Sequence, residues 1–260
     1  MKKIHRSFNI LGNVAVAGFS ENTKSSEKKE FALRLLKDRP QIKTVLEKCG
    51  KVSGRLRKIK TKYLAGEKNK EVLYKENNCV FRFNIDTTYF SPRLSNERKE
   101  IASSIKKNER VLVMFAGVGP YSICIAKNSG AKVYSNEINR EANKYAELNI
   151  KLNKVQDKVE LISGDIKKVA KKIKKEKFDA IVMPRPRLKE SFLQQAFMLS
   201  KKGTKIFYYD FCGIEEKNKI IEKIKDEAKK AKKKIKILKI KQAGEIAPYK
   251  IRIRVDFEIL

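Results

Sequence analysis

Residues 110–127 read RVLVMFAGVGPYSICIAK, and this stretch decides the fold. An apolar run of strand length ends at Phe115, Ala116-Gly117-Val118-Gly119 breaks it, and Pro120 stands where a first helical residue is expected. Gly117 and Gly119 let the backbone approach a ligand closely, and the helix that follows offers free N–H groups at its start. Working outward, the same strand-then-helix rhythm repeats. RVLVMF, AKVYSN, KVELIS, FDAIVM and TKIFYYDF read as strands, and PYSICIAKN, NREANKYAELNIKLN, IKKVAKKIKK and LKESFLQQAFMLSKK read as the helices between them. That alternation predicts a doubly wound, Rossmann-like α/β domain over residues 86–260. After a basic helix (EEKNKIIEKIKDEAKKAKKK), KIKILKIKQ and YKIRIRVDFEIL read as two final strands whose polar alternation suits a partly exposed edge.

Residues 1–85 have a different character and predict a small basic α/β domain. FNILGNVAVAGF reads as strands about a Gly-Asn turn. KSSEKKEFALRLLKDRP reads as a helix capped at Ser25 or Ser26 and stopped by Pro40, and IKTVLEKCGKVSGRLRKIKTKYLAG and CVFRFNID read as further strands. The chemistry of this region is charge display. Over the whole 260 residues, 62 Lys+Arg face 30 Asp+Glu, a formal net charge of +32. Such an excess points to a polyanionic partner, although 48 lysines against 14 arginines also fits a compositional bias.

Other classes are excluded. No apolar run is long enough to span a membrane, and MKKIHRSFNILG lacks the continuous apolar core of a signal peptide. Cys49, Cys79, Cys124 and Cys212 are scattered, without a CxxC pair and with a single histidine in the chain. That pattern predicts a cytoplasmic protein with incidental thiols and no metal site.

The crevice after the first strand of such a sheet is where adenosyl cofactors sit. The absence of a third glycine and of a Lys-Ser/Thr pair argues against dinucleotide and P-loop readings. Glu137, at the end of AKVYSNE about twenty residues beyond the glycines, can accept hydrogen bonds from both ribose hydroxyls. Asp165 in SGDI ends the next strand at the same edge and could meet an adenine amine. Either acid alone is also a common helix cap. The three strand-end features in order favour cofactor binding.

These residues carry a resemblance. FSPRLSNERKEIA, VLVMFAGVGPYSI, NEINREANKYAELNIKLNK and SGDI together resemble the archaeal and eukaryotic tRNA guanine-37 N1-methyltransferases. The similarity extends upstream into KTVLEKCGKVSGRLRKIKTKYLAGE and downstream into GEIAPYKIRIRVDFEI, so it covers nearly the whole sequence. An extra N-terminal domain of many members has no counterpart in it. The resemblance implies a class I methyltransferase domain using S-adenosylmethionine, preceded by a small RNA-facing domain, with the tRNA anticodon stem-loop as partner and a monomeric state. It implies Glu97 as general base for the guanine N1 proton, and Arg57 as a group reaching the substrate or its oxygen. Arg98, Phe115, Gly117, Gly119, Glu137, Asp165, Ile166 and Pro184 would hold the cofactor, while Arg93, Arg185 and Arg187 would contact the RNA. Without the resemblance, Glu97 and Arg98 read as an ordinary helix-face pair.

Two positions depart from the family pattern. Val113 stands where the first strand normally carries an Asp, and Pro184-Arg185-Pro186 replaces an Asn-Leu-Pro motif after the fourth strand. Pro184 offers only a backbone carbonyl where the Asn side chain would accept a bond from the target base. Related wyosine-pathway enzymes share the fold and cofactor, and a reshaped loop leaves methylation of 4-demethylwyosine open. A tRNA-binding scaffold without catalysis is the competing class, and Val113 and Pro184 are the features that support it. A DNA or protein methyltransferase has only the shared fold in its favour.

Overall fold

The computed structural model describes residues 6–260. Residues 1–5, the start of the stretch weighed above as a signal peptide, lie outside the described residues. The chain forms two compact units, Met1–Pro92 and Arg93–Leu260. The sequence reading sets the domain boundary at 85/86; the division between the compact units lies at 92/93, and the link between them packs on the first unit through aromatic rings. Phe90 stacks on Phe83 with ring centroids 4.8 Å apart and also meets Tyr74 and Phe81.

In the first unit, β1 (Arg6–Leu11) and β2 (Val14–Phe19) pair antiparallel around Gly12-Asn13, as the sequence predicts. Gly12 has φ +55°, and a Cβ there would lie 1.8 Å from the Leu73 carbonyl oxygen, so only glycine fits. Helix α1 (Ser25–Asp38) is capped one residue earlier than expected, at Lys24, whose N–H donates to the Glu27 carboxylate at 3.0 Å. It lays Phe31, Ala32 and Leu35 on Ala15, Ala17 and Val45. Strands β3 (Thr44–Ser53) and β4 (Lys58–Gly66) complete a sheet of order β1-β2-β3-β4. Along β4, Lys58, Lys60 and Lys62 are all exposed on one face, the basic display predicted for this region. A second hairpin, β5 (Glu71–Glu76) and β6 (Cys79–Asn84), contains a strand the sequence reading missed. Its turn is Asn77-Asn78, both at positive φ, which asparagine tolerates better than other side chains.

The second unit begins with α2 (Ser95–Ser104), then β7 (Arg110–Met114), α3 (Pro120–Ser129), β8 (Lys132–Glu137), α4 (Arg140–Leu152) and β9 (Val159–Ser163). It continues through α5 (Ile166–Lys172), β10 (Phe178–Met183), α6 (Leu193–Leu199), β11 (Ser200–Gly213), α7 (Lys217–Lys230), β12 (Ile235–Ala247) and β13 (Lys250–Ile259). Its seven-stranded sheet has the order β12-β13-β11-β10-β7-β8-β9. Strands β9, β8, β7, β10 and β11 run parallel, and β13 is antiparallel to both its neighbours. Buried side chains of α5, α6 and α7 share one core with Leu112, Met114, Ile181, Met183, Ile253 and Phe257 of the strands. The chain steps outward from β7 through β8 to β9 and then returns to β10 on the other side of β7. The loops after β7 and β10 therefore flank the crevice where a doubly wound sheet binds its ligand.

Two expectations need correction. The helix read over 188–202 is only the seven-residue α6. At its end Ser200 already pairs with Phe178 in the sheet, and at its start Arg185 holds the carbonyls of Leu188 and Glu190 outside the helix. The polar alternation of the last two strands marks an exposed edge only for β12. Strand β13 lies inside the sheet, and its charged face is covered by side chains of α2.

Candidate active site

The loop after β7 turns through three residues of positive φ: Phe115 at 59°, Gly117 at 60° and Gly119 at 87°. Gly119 caps α3 and Pro120 is its first residue. A Cβ on Gly119 would stand 3.0 Å from the Ile123 side chain in a left-handed backbone, so the turn is reserved for glycine on both counts. The loop is anchored where the Ala116 N–H donates to the Asn136 carbonyl at 2.9 Å, and where the fully buried Asn149 amide donates to the Val118 carbonyl at 3.0 Å.

Glu137 ends β8 and folds back into this loop. Its Oε2 accepts from the Gly117 N–H at 2.8 Å, and its Oε1 accepts from the N–H groups of Ile138 and Asn139 at 2.8 and 2.7 Å. Burial pushes its carboxyl above the usual range, and these three donors oppose the shift. A carboxylate has about four acceptor sites, so the backbone leaves one, on Oε2, for an outside hydroxyl. The sequence reading gave it two hydroxyls. Asp165 caps α5 by accepting from the Lys167 N–H at 3.0 Å and stands half-buried at the same sheet edge. Ile166 is 2% exposed and packs into the core beneath α5. Phe115 meets Phe192, from the loop after β10, edge-on at 5.0 Å. The two loops flanking the crevice are thereby joined.

Glu97 lies in the first turn of α2 and is buried. Its Oε2 accepts from the Tyr209 hydroxyl at 2.9 Å and from an Arg254 guanidinium nitrogen at 2.6 Å, while its Oε1 pairs with the Lys241 ammonium at 2.8 Å. These partners come from three adjacent strands, because Tyr209 of β11 sits opposite Arg254 of β13, which sits opposite Lys241 of β12. Cross-strand partners share a face, and this row points toward α2. Arg254 also binds Asp256 at 2.8 Å and Glu100 at 2.6 Å. Although burial pushes the Glu100 carboxyl up, Arg254, Lys241 and Lys239 together hold it well below the carboxylate range. The Tyr121 hydroxyl donates to that of Tyr209 at 3.1 Å, and burial pushes Tyr121 up to about 12. Arg98 is 1% exposed, with its guanidinium carbon 5.8 Å from the centre of the Tyr121 ring. Arg254, Lys241, Tyr209 and Tyr121 were all missed from sequence. The available signal was a run of charges at alternate positions, Arg252, Arg254, Asp256 and Glu258, opposite an apolar face of Ile251, Ile253, Val255 and Phe257.

The loop after β10 differs from expectation. Pro184 is half-buried, but Arg185 does not reach toward an RNA phosphate or a base. It is 3% exposed, and its guanidinium binds the Asp210 carboxylate and the carbonyls of Leu188 and Glu190. Asp210 in turn accepts from the Tyr208 hydroxyl at 2.7 Å and from Lys223 at 3.1 Å. Arg185 is a loop anchor. Arg187 and Arg93 are exposed, and Val113 is fully buried between Val182 and Ser135 in the sheet. In the first unit, Arg55 is exposed. Arg57 follows a turn closed by its N–H to the Gly54 carbonyl, and its guanidinium lies 3.8 Å from the centre of the Tyr89 ring. The Arg57 Nε is buried without a hydrogen-bond partner. Among the described residues, no group of three or more metal-ligating side chains occurs, and no helix is long and apolar enough to cross a membrane.

A carboxylate in a glycine turn, beside the switch point of a seven-stranded sheet, is shared by many enzymes, and comparison with known proteins narrows the field. Residues 72–238 match the TRM5/TYW2 methyltransferase domain, and residues 1–69 match the TYW2 N-terminal domain. The chain belongs to the TRM5/TYW2 methyltransferase family. A relative in Nanoarchaeum equitans, the tRNA (guanine(37)-N(1))/4-demethylwyosine(37)-methyltransferase Taw22, is 32% identical over 98% of this chain and 100% of its own length. The tRNA (guanine(37)-N(1))-methyltransferase Trm5b of Pyrococcus abyssi is 34% identical over 97% of this chain and 74% of its own. The crystal structure of the Pyrococcus abyssi protein superposes with a TM-score of 0.85, covering 97% of this chain and 74% of that one at 33% identity. A complex of aTrm5 with tRNALeu also gives 0.85, at 29% identity over 99% of this chain and 73% of that one. The glycine turn, Glu97, Tyr121 and Tyr209 fall within the matched methyltransferase domain, while Lys241 and Arg254 lie just beyond it.

Proposed function

We propose that this chain transfers a methyl group from S-adenosylmethionine to N1 of guanosine 37 of tRNA, beside the anticodon. The observation that carries the reading is the match along 98% of the chain to a relative named for that methylation. The site fits the cofactor. Glu137 keeps one acceptor position open at the lip of the glycine turn, Asp165 stands at the next strand end, and Phe115 and Pro184 border the crevice. When bound, S-adenosylmethionine supplies a methyl group on a sulfonium centre. Glu137 orients a ribose hydroxyl, and the backbone of Gly117 and Gly119 permits close approach.

Guanine N1 carries a proton in its neutral form, so it becomes nucleophilic only as that proton leaves. Glu97 takes it, being a buried carboxylate paired with Arg254 and Lys241. The family resemblance alone assigns Arg57 to the substrate or its oxygen; its guanidinium lies 3.8 Å from the centre of the Tyr89 ring and its Nε is unsatisfied. The exposed lysines of β4, with Arg93 and Arg187, meet tRNA phosphates, and an anticodon-loop base is unstacked enough to enter a pocket. The scattered cysteines, without a CxxC pair, suit action in the cytoplasm. The test is nucleoside mass spectrometry of unmodified tRNA incubated with the protein and S-adenosylmethionine. Appearance of 1-methylguanosine at position 37 is expected, and its absence overturns the reading.

A second substrate, 4-demethylwyosine at the same position, is favoured by the loop after β10. Pro184 presents no side-chain amide to select guanine, and Arg185 is turned inward. Incubation of tRNA bearing the tricyclic base, followed by the same mass measurement, distinguishes a dual enzyme from one restricted to guanine.

A further inference from the structure

The two oxygens of Glu97 are not equivalent. Oε2 accepts two bonds, from the Tyr209 hydroxyl and from Arg254, which fills its two acceptor positions. The Tyr209 hydroxyl is backed by that of Tyr121, and both tyrosines are closed off from solvent, at 0% and 2% exposure. A proton placed on Oε2 would have to displace Arg254, and it would have no outlet. Among the described residues, Oε1 accepts only from Lys241, a side chain one-third exposed, and keeps one position open.

The clamp on Oε2 is built at depth. Arg254, 2% exposed, binds Glu97, Glu100 and Asp256, and Glu100 also pairs with Lys239 and Lys241. Three carboxylates and three cations balance in formal charge, so the cluster holds itself in register. The groups converging on Glu97 are Tyr209 from β11, Arg254 and Asp256 from β13, and Lys241 and Lys239 from β12. Glu100 and Arg98 stand on its own helix, and Tyr121 on α3. Breaking the network at one member leaves a buried charge uncompensated.

We propose that Arg254 is a positioning residue for the Glu97 base: with Tyr209 it fixes Oε2, so that Oε1 alone takes the guanine N1 proton and releases it past Lys241. This rests on the reading of Glu97 as the base. In the step, the N1–H bond breaks and its proton forms an O–H bond on Oε1. The electron pair left on N1 bonds the methyl carbon, and the methyl–sulfur bond breaks with its pair remaining on sulfur. Arg254 also places a positive charge directly against the carboxylate, and variants that remove it read that neighbour in the pH profile.

The test is the pH profile of single-turnover methyl transfer, with kcat and KM measured for tRNA and for S-adenosylmethionine. Arg254→Met combined with Asp256→Asn removes one charge of each sign. It is expected to lower kcat roughly tenfold and to move the acid limb of the profile up by about one pH unit, with both KM values within about twofold. Arg254→Lys is expected to return the acid limb toward its original position while restoring kcat only in part, since an ammonium cannot reproduce the forked contact. Should the paired variant fail to fold, Tyr209→Phe carries the test, because it removes one donor to Oε2 at constant volume and shifts the limb in the same direction by less. An unmoved acid limb in folded variants, with Glu97→Gln inactive, overturns the role of Arg254 and leaves the base in place. If Glu97→Gln keeps its turnover, the base reading fails and the positioning role fails with it.

Discussion

Two carboxylates of the second unit, Glu97 and Glu137, are both held by three or more contacts, but by different kinds of partner. Backbone N–H groups hold Glu137, all within about twenty residues of it in sequence. Side chains hold Glu97: Tyr209, Lys241 and Arg254, which lie more than a hundred residues away and are brought together by strand pairing. Backbone donors add no formal charge beside the acid, which suits a group that binds neutral hydroxyls. Paired cations bring opposite formal charge against the carboxylate from fixed directions, which suits a group that must be aimed for proton transfer. The same residue type is thus prepared for binding at one site and for proton transfer at the other.

The sharpest way to break this contrast is at Glu97. Glu97→Gln keeps the shape and removes the base, so turnover is expected to fall by roughly 10²-fold or more while affinity for S-adenosylmethionine barely changes. Rapid-quench methyl transfer and calorimetry measure the two quantities. A parallel loss of both would mean that Glu97 serves cofactor binding, as Glu137 does.

That difference in partners also explains what the sequence made legible. The strand–turn–helix of residues 110–127, Glu137 and the capping role of Asp165 depend on local order, and periodicity with breaker residues exposes local order. The parallel, doubly wound character of the sheet followed from the alternation. Strand β13 was misread because alternating charge usually means solvent. Here the charges at Arg254 and Asp256 meet α2, which precedes them by about 150 residues. Arg185 was misread for a related reason. Its partner Asp210 stands on β11, and nothing near Arg185 in sequence marks it as buried. Helix α6 was read too long because its apolar spacing runs on into residues that pair in the sheet.

At Glu137 the expected effect is smaller and has the opposite signature. Glu137→Gln replaces an acceptor of three backbone bonds by an amide with one oxygen, and affinity for S-adenosylmethionine is expected to fall about tenfold. Turnover at saturating cofactor should change little. A kcat loss as large as that of Glu97→Gln would erase the distinction between the two acids.

Titration sharpens the contrast further. Burial raises the Glu137 carboxyl above the ordinary value of 4.5, with its backbone donors pulling the other way. A ribose hydroxyl donates to the ionised form, so binding weakens as pH falls through the raised value. In the free protein the sign is reversed: a raised carboxyl binds its proton better when folded, so stability contributed by this group is present at acid pH and is lost as pH rises through the folded value. Calorimetric titrations of S-adenosylmethionine from pH 7 downward should therefore lose affinity above pH 4.5, and Glu137→Gln should flatten that slope. A slope unchanged in the variant would assign the titration to another group.

The smallest effect is expected where the glycine turn is held from behind. Asn149 is fully buried on α4, and its amide donates to the Val118 carbonyl at 3.0 Å. Asn149→Ala leaves that carbonyl without this donor and opens a small void, which costs about 1–2 kcal/mol. For a chain of this size, the thermal midpoint should fall by about 2–4 °C for each kcal/mol. Val118 lies between the two glycines whose backbone forms the turn, so loosening it should weaken S-adenosylmethionine binding two- to threefold, less than loss of the Glu137 charge does. Turnover at saturating cofactor and the acid limb of its pH profile should not move, because the Glu97 row is built on other strands. A shift of that limb in Asn149→Ala would mean that the two acids are coupled through α3, whose first turn carries both the glycine cap and Tyr121.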